Sequence, residues 1–271
     1  MKYFLDTEFL EGTQKKLFGE TKPIIDLISI GIVCEDGREY YAISKDFNLK
    51  EAWNRFDWKQ KKVSDGIPGA YKDYWIRENV LKPIWEELIE KERQYYMEMF
   101  KRINVWTKYI DNDYYKFTYK EFKRLIKKYG KTNKQIAEEI VQFVDARWIE
   151  EGNISKGFMY PGGTSIEEVK TTNVQFYGYY SDYDWVVFCW LFGKMIDLPK
   201  GFPKYCIDLK QELDRRFPNG KYGTTVVIPK LVNGTLLAEL SPKTEYKEIN
   251  IKEHPNYPKQ TNEHNALADA R

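Results

Sequence analysis

Hydrophobic and polar positions predict that strands come first in this chain. The opening segment KYFLDTEF alternates, which places Phe4, Asp6 and Glu8 on one face of a strand and apolar side chains on the other. The run IIDLISIGIVCE at 24–35 is typical of a buried strand, and EYYAIS at 39–44 follows it across an Asp-Gly turn. The first 44 residues therefore predict three strands, two of them joined as a hairpin.

Helical patterns begin further along and then alternate with strands. Residues 76–90 favour a helix that Pro83 should kink or restart, and 133–149 give the cleanest amphipathic helix. A strand is expected over 174–180, and a nearly all-apolar, buried helix over 184–195. Predictions for the rest are a short strand over 204–209, a short helix after it, a hairpin around Asn233-Gly234 and a terminal helix that begins at Thr261-Asn262.

The element order β-β-β-α-β-α-β-α indicates an α/β protein whose mixed central sheet has helices on its faces. We expect one domain over residues 1–271, interrupted by insertions at about 91–132 and 218–262. The first insertion is an irregular stretch rich in aromatic and basic residues, and the second is rich in Gly, Pro, Asn and Lys.

The composition limits the cellular locations and the kinds of partner that we expect for this protein. The chain has 31% charged residues and a mean hydropathy of −0.65, and no stretch approaches the ~20 apolar residues that span a bilayer. Its beginning lacks the pattern of a secretion signal, and three cysteines without a CxxC pair favour free, buried thiols. We therefore expect a cytoplasmic protein, in the host cytoplasm if it is phage-encoded, with no membrane partner; a homodimer is kept open.

The pair Asp6 and Glu8 is the first candidate site. Two carboxylates that point the same way from one strand repel each other unless a cation lies between them or one takes a proton. Oxygen ligands select hard ions such as Mg²⁺ or Mn²⁺. The alternative is an exposed acidic pair at the end of a strand, where open α/β sheets also place their ligand sites.

Further candidates stand later in the chain. Asp184 opens the buried helix, although it could be a simple N-cap, and Asp182 competes with it for either role. His264 precedes Asp269 by five residues, a turn of roughly 140° around a helix, so the two side chains cannot share one stripe. We therefore expect His264 at the start of the terminal helix or on the loop before it. The alternatives are a histidine without a role and a solvated aspartate.

Together these motifs resemble the DEDDh 3'-5' exonuclease superfamily, which includes RNase T and oligoribonuclease. The family's Asp-x-Glu motif is matched by Asp6-Thr7-Glu8, its helix-opening aspartate by Asp184, and its His-x4-Asp motif by His264 and Asp269. The stretches FLDTEF, LISIGIVCEDGREYYAIS, ENVLKPI, YDWVVFCWLFG and HNALADAR are similar to the RNase AS type of exoribonuclease, also found in phages. The resemblance covers about half of the chain and implies an RNase H-like fold.

This resemblance implies a two-metal mechanism. Asp6 would bridge two Mg²⁺ or Mn²⁺ ions, Glu8 and Asp269 would complete the first site, and Asp184 would act on the second. His264 would take the proton from the attacking water. The implied products are nucleoside 5'-monophosphates released from the 3' end of single-stranded nucleic acid, with RNA favoured.

Substrate contacts are predicted in two places. Thr7, Phe9 and Leu10 belong to or follow the first motif, and the last two could stack on terminal bases or pack in the core. Residues 91–132 carry 12 Lys or Arg against 5 Asp or Glu, with 11 aromatics interleaved. Within it, phosphate contacts are expected from Lys123, Arg124, Lys127 and Lys128, although such a segment could also be an amphipathic insertion with solvated lysines.

Two other functions stay open at this stage. A DNA exonuclease of the same fold differs only by contacts to the 2'-hydroxyl, which one sequence does not reveal. A non-catalytic nucleic-acid-binding module could use the same fold, because fold does not fix function.

Overall fold

The computed structural model describes residues 1–13, 22–61, 69–101, 115–156, 174–217, 221–232, 235–248 and 264–271. It contains nine strands: β1 (Lys2–Thr13), β2 (Pro23–Cys34), β3 (Glu39–Ile43), β4 (Asp57–Lys61), β5 (Gly69–Asp73), β6 (Gln175–Gly178), β7 (Ile207–Asp208), β8 (Lys221–Val232) and β9 (Thr235–Glu248). The helices are α1 (Leu49–Asn54), α2 (Lys82–Lys101), α3 (Tyr119–Tyr129), α4 (Asn133–Lys156), α5 (Asp182–Leu191), α6 (Leu209–Arg216) and α7 (Ala266–Ala270).

Five strands form the central sheet in the order β3-β2-β1-β6-β7. The strands β1, β2 and β3 pair antiparallel, whereas β6 pairs parallel with both β1 and β7. The antiparallel part comes from strands that are consecutive in the chain, and the parallel part follows long crossovers. The predicted α/β class with a mixed sheet is confirmed, and the arrangement is compatible with an RNase H-like fold.

Apolar side chains cover both faces of this sheet. One cluster joins β1, β2 and β6 to the stripe of α4, where Ile136, Ile140 and Val144 are fully buried, and to α5. The second cluster joins Ile28 and Ile43 to α2 and α3. Helices on both faces were expected from the order of strands and helices along the chain.

A π-helical turn over Arg77–Leu81 precedes α2, at the place where Pro83 was expected to disturb a helix. The backbone N–H of Lys82 donates to the carbonyl of Arg77, five residues back. Proline lacks an N–H, and its ring blocks the carbonyl four residues before it, so a wider turn lets the chain enter α2 without a break.

Several boundaries differ from the sequence predictions. The stretch 91–132 was expected to be irregular, but α2 continues through Lys101, and α3 presents the buried residues Phe122, Leu125 and Ile126 at helical spacing. The hairpin formed by β4 and β5 was not predicted. The terminal helix begins at Ala266, while Thr261-Asn262, its predicted start, lie outside the described residues.

The hairpin predicted inside the second insertion is confirmed, since β8 and β9 pair antiparallel with Val232 opposite Thr235. Asn233 and Gly234 themselves lie outside the described residues. The division into one domain with two insertions stays a prediction. Within the described ranges, the search for a helix long and apolar enough to cross a membrane found none.

Candidate functional site

Strand β1 carries Asp6 and Glu8 on the face opposite Tyr3 and Leu5, which are buried in the core. The two acids do not lie near the end of β1, as the sequence suggested, because this strand continues to Thr13. They lie instead beyond the last pair between β1 and its parallel neighbour β6, Phe4 opposite Tyr177. The crevice at the carboxyl end of a parallel strand is where α/β sheets bind ligands, and here β6 provides that end.

Asp184 reaches this crevice from the first turn of α5. It is buried, and its Oδ1 accepts hydrogen bonds from the backbone N–H of Thr7 at 3.0 Å and from the Thr7 hydroxyl at 2.6 Å. The N-cap of α5 is Ser181, so Asp184 is not the cap, and Asp182 is exposed. The middle residue of the Asp-Thr-Glu motif thus holds the carboxylate that comes from another element.

The backbone of His264 contacts the side chain of Asp269. The N–H of His264 donates to Oδ2 of Asp269 at 3.1 Å, and His264 takes a left-handed conformation with φ of 64°. Asn265 is the N-cap of α7, and its Oδ1 accepts from the N–H groups of Leu267 and Ala268. The predicted position of His264, on the loop before the helix, is confirmed.

Asn265 also connects the start of α7 to β3 and α2. Its Nδ2 donates to the hydroxyl of Tyr41 at 3.3 Å and to Oε2 of Glu87 at 3.4 Å. Burial, followed by the charge of Glu87, raises the pKa of the Tyr41 hydroxyl, so it stays protonated. Sequence reasoning missed this triplet, because no motif spacing links β3, α2 and α7.

Negative charge accumulates in the crevice. Burial, followed by the charges of Asp184, Glu8 and Asp269, raises the pKa of Asp6 well above its usual range. Burial, then Asp269 and Asp184, raises the pKa of Glu8 to about 8. Burial also raises the pKa of Asp184, and the hydrogen bonds from Thr7 oppose this shift. Four acids from three elements therefore share one electrostatic environment that favours added positive charge.

The donor set fits a divalent cation. Glu8, His264 and Asp269 each offer a ligand atom, and these atoms lie within 4.8 Å of one another. The carboxylate oxygens of this set suit Mg²⁺ or Mn²⁺, whereas an imidazole nitrogen is not a preferred ligand of these ions. The structure thus brings together all five residues that were predicted for catalysis and metal binding, and their individual roles stay predictions.

A cleft of about 300 Å³ begins beside this cluster. The ring of Trp75 meets the imidazole of His264 edge-on, with 4.8 Å between centroids, and Trp75 lines the cleft together with Phe9. Phe9 also contacts the exposed ring of Tyr183 at 5.6 Å. Of the predicted substrate residues, Phe9 is therefore the one placed at an accessible edge of the site.

Two of the predicted substrate residues in β1 are buried. Leu10 is 1% exposed and packs in the cluster that includes Ile28 and Leu81, which favours the alternative that it belongs to the core. Thr7 is buried, and its hydroxyl donates to the carboxylate of Asp184. Contacts of these two residues with substrate stay predictions.

The predicted phosphate contacts on α3 divide into two pairs. Arg124 and Lys128 both hydrogen-bond the carboxylate of Glu92, which is 1% exposed, so they neutralise a buried charge within the protein. Lys123 and Lys127 are exposed on the outer side of α3, and no ion pair is found for either within the described residues. Contacts between these four cations and phosphates stay a prediction.

Comparison with known proteins gives a partial likeness. No protein-family description matches the chain. It is similar to two curated 3'-5' exoribonucleases from strains of Mycobacterium tuberculosis, each 38% identical over 89 residues. The matched stretch covers 33% of this chain and 46% of each relative, so the chain spans about half the length of the curated relatives that it matches.

Proposed function

We propose that this protein is a metal-dependent 3'-5' exoribonuclease that releases nucleoside 5'-monophosphates from the 3' ends of single-stranded RNA. One observation carries the proposal: Asp6, Glu8, Asp184 and Asp269 converge beside His264 at the end of β6. The partial likeness to 3'-5' exoribonucleases supports a 3'-5' exonuclease family. Within it, we assign the chain to the DEDDh group, closest to the RNase AS type.

The carboxylates would hold the catalytic ions. Two divalent cations, when bound, stabilise the charge on the attacking and leaving oxygens of a phosphodiester. Asp6 would contribute to holding both ions, since it lies close enough to Asp184, Glu8 and Asp269 for their charges to raise its pKa. Glu8 and Asp269 would serve the ion beside His264, and Asp184, fixed by Thr7, would serve the other.

His264 would act as the general base. Its imidazole lies within 4.8 Å of ligand atoms of Glu8 and Asp269, and Trp75 covers it on one side. A base in this position removes a proton from the water that attacks the terminal phosphodiester. The hydrogen bond from its backbone N–H to Asp269 fixes the loop, so the ring is positioned before the substrate arrives.

The decisive experiment follows the shortening of a 5'-labelled single-stranded oligoribonucleotide and identifies the nucleotides that are released. With Mg²⁺ we expect stepwise shortening from the 3' end and nucleoside 5'-monophosphates, and with EDTA no reaction. Asp6→Asn should abolish turnover while leaving the fold intact, whereas Asp182→Asn, an exposed acid on the same helix as Asp184, should retain it. Full Mg²⁺-dependent activity in the Asp6→Asn variant would exclude the assigned site.

Two alternative functions are outcomes of the same assay. Matched RNA and DNA oligonucleotides separate an exoribonuclease from a DNA exonuclease, because only contacts to the 2'-hydroxyl distinguish the two substrates at a given position. Binding of the labelled strand without any product at saturating Mg²⁺ or Mn²⁺ would indicate a non-catalytic nucleic-acid-binding module.

A further inference from the structure

The hairpin of β4 and β5 carries an unusual series of aromatic rings and cations. The ammonium of Lys72 lies 4.2 Å from the ring centroid of Phe56 and 5.6 Å from that of Trp58. The ring of Phe56 contacts Tyr74 at 5.7 Å, and the guanidinium of Arg77 lies 3.8 Å from the Tyr74 ring. We call Phe56, Trp58, Lys72, Tyr74 and Arg77 the hairpin surface.

Core packing does not account for this hairpin surface. Trp58 is 65% exposed, and β4 and β5 pair only with each other, outside the five-stranded sheet. A two-stranded hairpin is marginally stable in water, and the pairing of Trp58 with Lys72 across the strands supports it while leaving the indole largely exposed. Large aromatic side chains in such a position are typical of a contact surface.

The hairpin surface is continuous with the candidate active site. Phe56 belongs both to the hairpin surface and to the wall of the cleft, which Trp75 and Phe9 also line. Trp75, which is 41% exposed, leads from there to His264. A strand with its 3' terminal nucleotide beside His264 can therefore extend through the cleft and onto the hairpin surface.

The local charges favour stacking over phosphate attraction. The cleft also contains Glu11, Asp57 and Asp73, and Lys59 pairs with Asp73. Arg77 pairs with Glu78, while no ion pair is found for Lys72 within the described residues. Because acids offset most of the nearby cations, base stacking on the exposed rings would supply most of the binding, and such stacking tolerates any base sequence.

We propose that the hairpin surface binds the bases of single-stranded RNA upstream of the 3' terminal nucleotide, chiefly by stacking on Trp58. The inference rests on the proposed function for the direction of the strand. It adds a second contact region to the site, one that only substrates longer than a few nucleotides reach.

The test compares RNA strands of two lengths. Fluorescence anisotropy in EDTA measures the affinity for two labelled probes, a single strand of about 12 nucleotides and a dinucleotide. The longer probe lies within the ~4–16 nucleotides that single-strand binding folds cover. Trp58→Ala should weaken binding of the long strand by roughly 5- to 150-fold, the effect of losing one base–aromatic stack, and that of the dinucleotide far less. The salt dependence of long-strand binding should stay unchanged.

Two further variants and a control make the result specific. Trp58→Leu keeps the apolar bulk and should lose affinity like Trp58→Ala, whereas Trp58→Phe keeps a ring and should recover most of it. Tyr205→Ala removes a ring that is similarly exposed, at 64%, outside the hairpin, and should bind like the unmutated protein.

The other possible outcomes either overturn or keep the proposal that the hairpin surface binds RNA. Unchanged long-strand affinity in Trp58→Ala and Trp58→Leu overturns it and leaves the hairpin surface for a protein partner. Equal losses of affinity for the long strand and the dinucleotide, or a weaker salt dependence of long-strand binding, overturn it as well. Absence of Mg²⁺-dependent mononucleotide release, with the length-dependent loss retained, would reject the proposed function alone and keep the hairpin surface as a single-strand binding site.

Discussion

Gly31 of β2 lies directly beneath Ala266 of α7. A Cβ atom at Gly31 would come within 2.4 Å of the carbonyl carbon and oxygen of Ala266 and of the Cα of Leu267. Gly31 also pairs with Asp6 across the sheet. The missing side chain therefore lets the terminal helix approach the strand that carries Asp6, and this contact brings Asp269 and His264 to the site.

Gly31→Ala should separate α7 from the sheet and inactivate the protein. The added methyl group meets backbone, which cannot rotate away, and overpacking of this kind costs about 1–3 kcal/mol. We expect that loss in urea unfolding and a much larger loss in RNA turnover. Gly12→Ala is the matched control, because its Cβ meets the flexible side chain of Glu51 at 3.3 Å. Normal turnover in Gly31→Ala would show that the position of α7 is not critical.

Thr7→Val tests whether the hydroxyl of Thr7 positions Asp184. Valine keeps the shape and the backbone N–H donor but removes the 2.6 Å hydrogen bond. Loss of such a partner to a metal ligand typically costs about 10–100-fold in metal affinity or activity, and we expect that shift in the Mg²⁺ concentration for half-maximal turnover. Thr7→Ser restores a hydroxyl and should recover most of the affinity. An unchanged Mg²⁺ titration in Thr7→Val would leave Thr7 with a packing role alone.

Replacement of His264 separates a general base from a metal ligand. His264→Asn tolerates the left-handed backbone but lacks the imidazole, and we expect turnover to fall by ~10²–10⁴-fold with Mn²⁺ affinity nearly unchanged. His264→Gly leaves space beside Trp75, so added imidazole should restore part of the rate. A parallel loss of Mn²⁺ affinity and turnover, without imidazole rescue, would make His264 a ligand.

Local patterns were sufficient for most of the central fold. Alternation in β1, the apolar run of β2 and the stripe of α4 each dictate a single burial pattern, so these elements were predictable. The signal for α3 was present in Thr118 and the spacing of Phe122, Leu125 and Ile126, but it lies among many other aromatic residues. The hairpin of β4 and β5 was missed because Trp58 and Tyr71 stay exposed, which leaves no hydrophobic alternation to detect.

The residues of the candidate site were predictable, but their supporting contacts were not. The motifs that resemble those of DEDDh exonucleases single out Asp6, Glu8, Asp184, His264 and Asp269 without any tertiary information. Side-chain partners such as Glu92 for Arg124 lie 32 positions apart, and only the packing of α2 against α3 brings them together. For the same reason, a basic cluster in the sequence did not reveal which of its cations were already paired.

The buried carboxylate of Glu92 should make stability depend on pH in the acidic range. Burial alone would raise its pKa, but hydrogen bonds from Arg124 and Lys128 outweigh burial and leave the pKa below its usual range. A lowered folded pKa means that the contribution is complete above the unfolded pKa of about 4.3 and is lost as the pH falls through the folded value.

Glu92→Gln measures this contribution. At pH 7 we expect the free energy of unfolding to fall by about 1.5–3 kcal/mol, the range for hydrogen bonds to a charged group. As the pH falls below the unfolded pKa of about 4.3, the difference from the unmutated protein should shrink. Glu90→Gln, on the exposed side of α2, should change stability little at either pH. A difference that is independent of pH would show that the ion pairs of Glu92 are not its source.

The two exposed lysines of α3 provide the remaining test of a phosphate contact. Lys123→Gln with Lys127→Gln removes two cations that have no ion pair among the described residues, and leaves Glu92 with both of its partners. If both lysines contact phosphates, the slope of log affinity against log salt for single-stranded RNA should shrink by up to about 0.7 for each.

A control of equal charge makes the comparison specific. Lys134→Gln with Lys200→Gln removes two exposed cations elsewhere, so a general effect of net charge would appear in both double variants. Turnover of a dinucleotide should respond less than turnover of a long strand, because a dinucleotide does not extend beyond the metal site. Equal salt slopes in the two double variants would show that α3 does not contact the RNA. Its lysines would then keep only a solvating role, and the path of the strand would follow the cleft between Phe9 and Trp75 towards the hairpin surface.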